Sequence, residues 1–158
     1  MPPRYGARPL KAWRYVGVFG PELMLCVAQV RIGRARQSLW AVWDRSTRVL
    51  HERTVLGRGP VRLGHGFAAV EDRAVQIELH LRETPGVETV CPAGDAYAWT
   101  RKQGGIEAGG QVVIAGRRTP VNARAIIDDT AAYYPRHTHW RWCAGIGTAI
   151  DGRAPAPM

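Results

Sequence analysis

The residues best suited to proton transfer and anion binding lie close together, between Ile127 and Gly145. Asp128 and Asp129 are adjacent there, and a carboxyl group whose pKa is raised by its surroundings can act as a general acid or base. His137 adds an imidazole, the side chain most often used for proton transfer. Asp128 and His137 are therefore the candidate catalytic residues. The alternative is that the acids pair with arginines, and no motif specifies a reaction, so the sequence does not decide whether the protein is an enzyme.

His137 and His139 are two residues apart, so both imidazoles would point to the same side if residues 137–142 formed a strand. A metal also needs a third ligand, and no other His or Cys has the spacing to supply one. The glycine pairs at 104–105 and 109–110 predict a loop, but they are not followed by the Gly-Lys-Ser/Thr of a phosphate-binding loop. The sequence therefore predicts neither a metal site nor a cofactor.

Arg136 has the side chain that could hold a carboxylate with two parallel hydrogen bonds, although a surface ion pair with Asp128 or Asp129 is the competing interpretation. The other candidates for ligand contact are aromatic or hydrogen-bonding residues of the same stretch and of an upstream aromatic segment. The predicted ligand-binding residues are Trp99, Arg101, Tyr133, Arg136, Thr138 and Trp140. Tryptophans more often fill a core than bind a ligand, and both interpretations stay open.

These residues must be positioned by strands, because apolar residues recur with a period of two along most of the chain. The alternation is clearest over residues 74–81, where Val75, Ile77, Leu79 and Leu81 share one face. Glycine, proline and other turn signals separate about ten such segments, and no amphipathic helix is evident. The sequence predicts a mainly β protein, an antiparallel meander that closes into a barrel or remains a partly open half-barrel.

Length and charge restrict the classes of protein further. The chain has 158 residues, the size of one ordinary domain, and a formal net charge of +9. The arginines are spread along the whole chain, which argues against a dedicated nucleic-acid site. Three cysteines without C-x-x-C spacing favour a reducing, cytoplasmic location, and no apolar run is long enough to span a bilayer.

Several motifs resemble the bacterial family called domain of unknown function 2804. They are Trp13-x-Tyr15, residues 87–92, residues 99–103, and the pattern from Asp128 through Thr130, Tyr133, Arg136, Thr138, Trp140 and Trp142 to Gly147. The family is distantly similar to two-part lipocalin-type proteins such as carotenoid hydratases, which implies a lipocalin-like barrel with an apolar cavity. In the family a second half follows, so the resemblance implies that this chain is truncated and leaves its last sheet edge, near the C-terminal end, unpaired.

The expected organisation is a flexible segment over residues 1–12, one β-rich domain over residues 13–153, and a disordered tail over residues 154–158. The leading hypothesis is a barrel that binds, or acts by acid/base chemistry on, an apolar or amphipathic small molecule. Tryptophans would line its cavity, and the polar cluster would comprise Arg101, Asp128, Tyr133, Arg136 and His137. The alternatives are a non-catalytic interaction protein that pairs through an open sheet edge, with itself or with the absent half, and a basic nucleic-acid binder.

Overall fold

A computed structural model describes residues 1–139, 142, 143, 145 and 146, and within them the regular structure consists of strands alone. The twelve strands are β1 (Arg4–Tyr5), β2 (Arg8–Pro9), β3 (Lys11–Phe19), β4 (Leu23–Ile32), β5 (Ala35–Asp44), β6 (Val49–Leu56), β7 (Val61–Gly64), β8 (Phe67–Glu71), β9 (Val75–Arg82), β10 (Val87–Ala93), β11 (Ala96–Ile114) and β12 (Arg117–Ala132). The predicted mainly β class is confirmed. No helix among the described residues is long and apolar enough to cross a membrane.

Ten of the strands form one antiparallel sheet in the order β6-β5-β4-β3-β12-β11-β9-β8-β7, with β10 paired to the first part of β11. The sheet curls so that β7 packs against β4 and β5. Side chains bridge the gap: Gln29 Nε2 donates to Val61 O at 2.7 Å, and Trp40 Nε1 donates to Asp72 Oδ2 at 2.9 Å. The result is an open half-barrel, as predicted, in which β6 lies beyond the strands that β7 covers.

The strands β11 and β12 are longer than the sequence predicts. The glycine pairs at 104–105 and 109–110 were expected to interrupt the chain as loops, but β11 runs through both. The register against β12 shifts between Gln103 and Ile106, and Gly105 has a φ of 66°. Such a bulge absorbs extra residues by bending a strand without ending it, and glycine adopts the positive φ without steric cost.

Aliphatic side chains fill the interior of the half-barrel. On β9 the apolar face is buried and the polar face is exposed, which confirms the predicted alternation. Burying each valine, leucine or isoleucine contributes roughly 1.5–3 kcal/mol. Of the described tryptophans only Trp40 belongs to this core, so the expectation that tryptophans line the interior is wrong for Trp13, Trp43 and Trp142. Trp99 lies on the inner face but outside the core cluster. Smaller β-branched residues occupy most interior positions instead, because they pack well on a closely curled sheet.

The first twelve residues, expected to be flexible, pair and dock beside the barrel. β1 and β2 form a two-stranded ribbon, and Leu10 is buried against Ala96 and Tyr133. The Tyr133 hydroxyl donates to Pro2 O at 2.7 Å. The predicted tail at residues 154–158 lies outside the described residues.

Candidate functional site

The adjacent acids Asp128 and Asp129 lie on opposite faces of β12, as the period of two predicts. Asp129 points to the inner face, in the same register row as Arg14 of β3 and Arg101 of β11. Asp128 points to the outer face, in the row of Tyr15 and Lys102. The two carboxylates therefore belong to two separate clusters and cannot share one reaction.

The inner cluster is a closed network of ion pairs at one end of the apolar core. Arg14 Nη1 donates to both Asp129 carboxylate oxygens, at 2.9 and 2.8 Å, and Arg101 Nη2 donates to Oδ2 at 2.8 Å. Arg14 also pairs with Glu83, whose side chain is only 1% exposed. Two cations face two anions, so neither arginine offers a free charge for an anionic ligand.

Glu83 stays charged in this buried position because its oxygens accept several hydrogen bonds. Burial alone would raise its pKa, but the Gln103 amide at 3.0 Å, the Gly66 N–H at 2.8 Å and the charge of Arg14 outweigh that effect and lower the pKa. His65 Nδ1 is 3.4 Å away. The Nε groups of Arg14 and Arg101 are buried and donate no hydrogen bond among the described residues. This network connects β3, β11 and β12 to the segment after β9.

The outer cluster is centred on Asp128, which is buried although it lies on the outer face of the sheet. Lys102 Nζ lies 2.5 Å from Asp128 Oδ2, and the Thr130 hydroxyl donates to Oδ1 at 2.9 Å. Burial raises the pKa of Tyr15, helped by neighbouring Cys26 and Asp128. The ring of Trp142 meets Tyr15 edge-on with centroids 5.5 Å apart. These contacts give Asp128 a structural role, in which it ties β12 to Lys102 of β11.

The predicted polar cluster of Arg101, Asp128, Tyr133, Arg136 and His137 does not assemble. Arg101 and Asp128 lie on opposite faces, and Tyr133 is fully buried beside the N-terminal ribbon. The chain leaves the sheet after Ala132, so the strand considered over residues 137–142 does not form at its described positions, 137–139 and 142. Pro135, which lacks an N–H for the ladder, follows that exit.

The remaining predicted site residues do not lie together: some are exposed to solvent, and one is on the inner face. Arg136, His137 and Thr138 are exposed, and the Thr138 hydroxyl donates to Pro135 O at 3.0 Å. Trp140 lies outside the described residues. Trp99 lies half-buried on the inner face, and its Nε1 donates to Glu88 Oε2 at 3.0 Å. No group of three or more His, Cys, Asp or Glu side chains that could hold a metal ion occurs within the described part.

Beside the inner network is a small apolar surface, here called the shelf, formed by Val90, Trp99 and Ala131. These residues are opposite one another on β10, β11 and β12 and therefore share one face. Val90 is 65% exposed. The shelf combines an accessible aromatic ring with the charged network one row away, at Arg101 and Asp129.

A further feature is the free edge of β6. Gly57 N donates to Arg36 O at 2.8 Å, and this bond continues the register of β5 and β6. Hydrogen-bonded pairs alternate along the ladder, so the odd-numbered residues of β6 point their N–H and C=O groups at β5. The N–H and C=O groups of Leu50, Glu52, Thr54 and Leu56 therefore point away from β5. Among the described residues no strand pairs with that side. Leu50 is 50% exposed and Leu56 is 81% exposed.

Sequence analysis missed β6 as an edge, although a signal was present. His51, Glu52 and Arg53 are consecutive polar residues in a segment of strand-forming residues, so neither face of the strand is apolar. A strand without an apolar face cannot be central in a packed sheet. The unpaired edge was expected near the C-terminal end of the chain and not at β6.

A second edge that is unpaired among the described residues, that of β10, is protected. Ala93 and Ala96 flank a two-residue turn and form a hydrogen-bonded pair, so position 92 directs its backbone nitrogen to the free side. That residue is Pro92, which has no N–H to donate. A proline on a free edge discourages pairing with another strand.

Comparison with known proteins supports the fold alone. No protein family and no curated protein matches the chain in sequence. A crystal structure at 2.00 Å of a Nitrosomonas europaea protein, provisionally named AttH, superposes with a TM-score of 0.59 at 11% sequence identity. The match covers 84% of this chain and 54% of the other, so this chain spans about half the length of that structure.

Proposed function

We propose that the protein is an interaction module whose half-barrel offers β6 for antiparallel pairing with a β-strand of another polypeptide. The observation that carries the proposal is the set of outward backbone groups at Leu50, Glu52, Thr54 and Leu56, which face no strand among the described residues. Addition of a strand to an exposed sheet edge is a common mode of recognition, in which main-chain hydrogen bonds supply affinity.

The chemistry of β6 supports this role. The strand contains no proline, and the ladder with β5 has no break in register from Gln37 to Asp44. Natural edge strands usually carry a proline or a β-bulge, which prevents association with another strand. Arg53 is a charge that could protect the edge, but it pairs with Asp72 Oδ1 at 2.6 Å.

The resemblance to domain of unknown function 2804 and to two-part lipocalin-type proteins is consistent with such a module. In a two-part protein, one half-barrel would have a second β-rich unit to contact. The half-length match to the longer crystal structure motivates the same idea. Under this proposal the partner supplies a strand, and the protein itself performs no chemistry.

The proposal is tested with a fluorescent peptide that has the sequence of β6, residues 49–56, in an anisotropy titration. Thr54→Pro removes one outward N–H and leaves the bonds to β5, while the control Thr54→Ala keeps that N–H. Saturable binding that survives Thr54→Ala and is lost in Thr54→Pro is expected. Equal binding by all three proteins, or by none, would refute edge pairing.

The shelf favours a second candidate function, the binding of an amphipathic small molecule. The accessible Val90 side chain lies opposite the half-buried Trp99 ring, next to a row of charges, and this combination suits an apolar group with one polar end. A medium-chain fatty acid is a suitable probe. Quenching of tryptophan fluorescence that disappears in Trp99→Phe, but not in Trp43→Phe, would support it; identical quenching in both variants would exclude the shelf.

A further inference from the structure

We propose that the strand that pairs with β6 is β6 of a second copy, related by a two-fold axis through Arg53. This inference rests on the proposed function, because it names the partner of the same edge. In this register Leu50 is opposite Leu56 of the second copy, and Glu52 is opposite Thr54 of the second copy. The half-barrels would then form one continuous sheet across the dimer.

The register follows from the direction of the backbone groups. In an antiparallel pair, two opposite residues either both point their N–H and C=O groups at each other or both point them away. Since the even-numbered residues of β6 point outward, each must meet another even-numbered residue. A two-fold axis must therefore pass through a residue, and Glu52, Arg53 and Thr54 are the central choices.

Of the three registers, only the one centred on Arg53 matches the side chains. Centring on Glu52 would place that carboxylate against itself and Leu56 against Arg48. Centring on Thr54 would place Glu52 against Leu56 and Leu50 against Arg58. The Arg53 register joins Leu50 to Leu56, two of the exposed aliphatic residues of the molecule, and gives four hydrogen-bonded pairs, or about eight hydrogen bonds.

The pairing also extends an apolar row on the outer face. Met24, Trp43 and Leu50 are opposite one another on β4, β5 and β6. Leu56 of the second copy would continue that row. The two-fold axis generates a second, equivalent row that crosses the dimer in the opposite direction. Cross-strand apolar pairs of this kind stabilise sheets, so the exposed side chain of Leu50 gains a neighbour.

Like charges meet at the axis, where Arg53 is opposite Arg53 of the second copy, and just beyond the two ends of β6, where Arg48 would be opposite Arg58 of the second copy. Each copy neutralises its own Arg53 charge. Arg53 pairs with Asp72, whose other carboxylate oxygen accepts the Trp40 indole N–H at 2.9 Å. The Arg53 side chains point to the inner face, away from the apolar row. Asp72→Asn keeps an acceptor for Trp40 but removes the charge, so it should weaken dimers while the fold remains.

The test is sedimentation of the full chain over a range of concentrations, combined with cysteine crosslinking. A reversible dimer is expected, and Leu50→Lys should raise its Kd about tenfold or more, since the symmetry counts each lost pair twice. Glu78→Lys, an exposed change on β9, is the control and should leave the Kd unchanged.

Crosslinking checks the register in a background in which the exposed Cys91 and Cys143 are replaced by serine. Residues at the centre of a non-hydrogen-bonded pair have Cα atoms about 4.5 Å apart, within the range of a disulfide. Arg53→Cys should therefore give oxidised dimer in high yield, and Glu52→Cys and Thr54→Cys much less. Similar yields at all three positions would overturn the register.

The peptide titration separates this inference from the function on which it rests. A chain that binds the β6 peptide through Thr54 but stays monomeric at all concentrations keeps edge pairing and loses the second copy as partner. A chain that neither binds the peptide nor dimerises loses both. A dimer unaffected by Leu50→Lys and Asp72→Asn would overturn β6 as its interface.

Discussion

The strands β6 and β10 are both unpaired on one side among the described residues, yet they are built differently. β10 directs a proline nitrogen to its free side at Pro92, whereas β6 directs four complete sets of backbone groups outward. Both expose aliphatic side chains, Val90 on one and Leu56 on the other. Exposure alone therefore does not define an interaction edge; the availability of backbone donors distinguishes the two.

Moving the proline to β6 should have the largest effect. Thr54→Pro removes a ladder hydrogen bond, which contributes about 0.5–1.5 kcal/mol, and introduces a ring into the interface, so peptide affinity should fall about tenfold or more. Thermal unfolding should show that the fold is retained, because the Thr54 N–H does not bond to β5. Unchanged affinity in the anisotropy titration would mean that β6 is not the edge in use.

Acid should impair β6 before β10, because Asp44 holds the turn that leads into β6. Hydrogen bonds from the Ser46 hydroxyl and from the backbone N–H groups of Ser46 and Thr47, with the charge of Arg117, lower the Asp44 pKa to about 2. The folded pKa lies below the unfolded one, so this stabilisation is complete above the ordinary carboxyl range and is lost as the pH falls toward 2.

Peptide binding should accordingly decline between about pH 4 and pH 2, the range bounded by the ordinary Asp pKa and the lowered one. Asp44→Asn should bind more weakly at neutral pH and lose most of this decline. A steep decline of equal size in Asp44→Asn would assign the acid sensitivity to other carboxylates, such as Glu83 or Asp72.

Removing the protection from β10 should have the smallest effect. Pro92→Thr restores an outward N–H, but β10 then has only three outward residues, at positions 88, 90 and 92, against four on β6. A weak second association is expected, visible by sedimentation only at high concentration, and it should persist when Thr54→Pro is added. Absence of any new association would show that Pro92 is not what keeps this edge unpaired.

Local periodicity predicted much of the fold. It could not predict which distant strands become neighbours or in what register they pair. The alternation of β9 and the opposite directions of Asp128 and Asp129 follow from the geometry of a strand. The pairing of Arg14 with Glu83 does not, because it depends on which distant strands become neighbours. The glycine pairs of β11 were mistaken for loops, since a bulge and a turn use the same residue.

Candidate site residues near the end of β12 were mispredicted for a related reason. Period-two reasoning was extended past Ala132, where the chain leaves the sheet, so it misplaced His137 and Thr138. Arg101 was predicted to contact a ligand, but its close partner in the structure is Asp129, an acid of the protein itself. Composition shows that charges are abundant, and only the tertiary contacts show that they neutralise one another.

The most direct test is residue-resolved amide hydrogen exchange along β6, in dilute protein and again with saturating β6 peptide. In dilute protein we expect fast exchange at Leu50, Glu52, Thr54 and Leu56 and slow exchange at the alternate residues bonded to β5, with all eight residues slow once the peptide is bound. Uniform protection of β6 in dilute protein, or even-numbered amides that stay fast with peptide, would contradict the proposal that this edge is a binding surface.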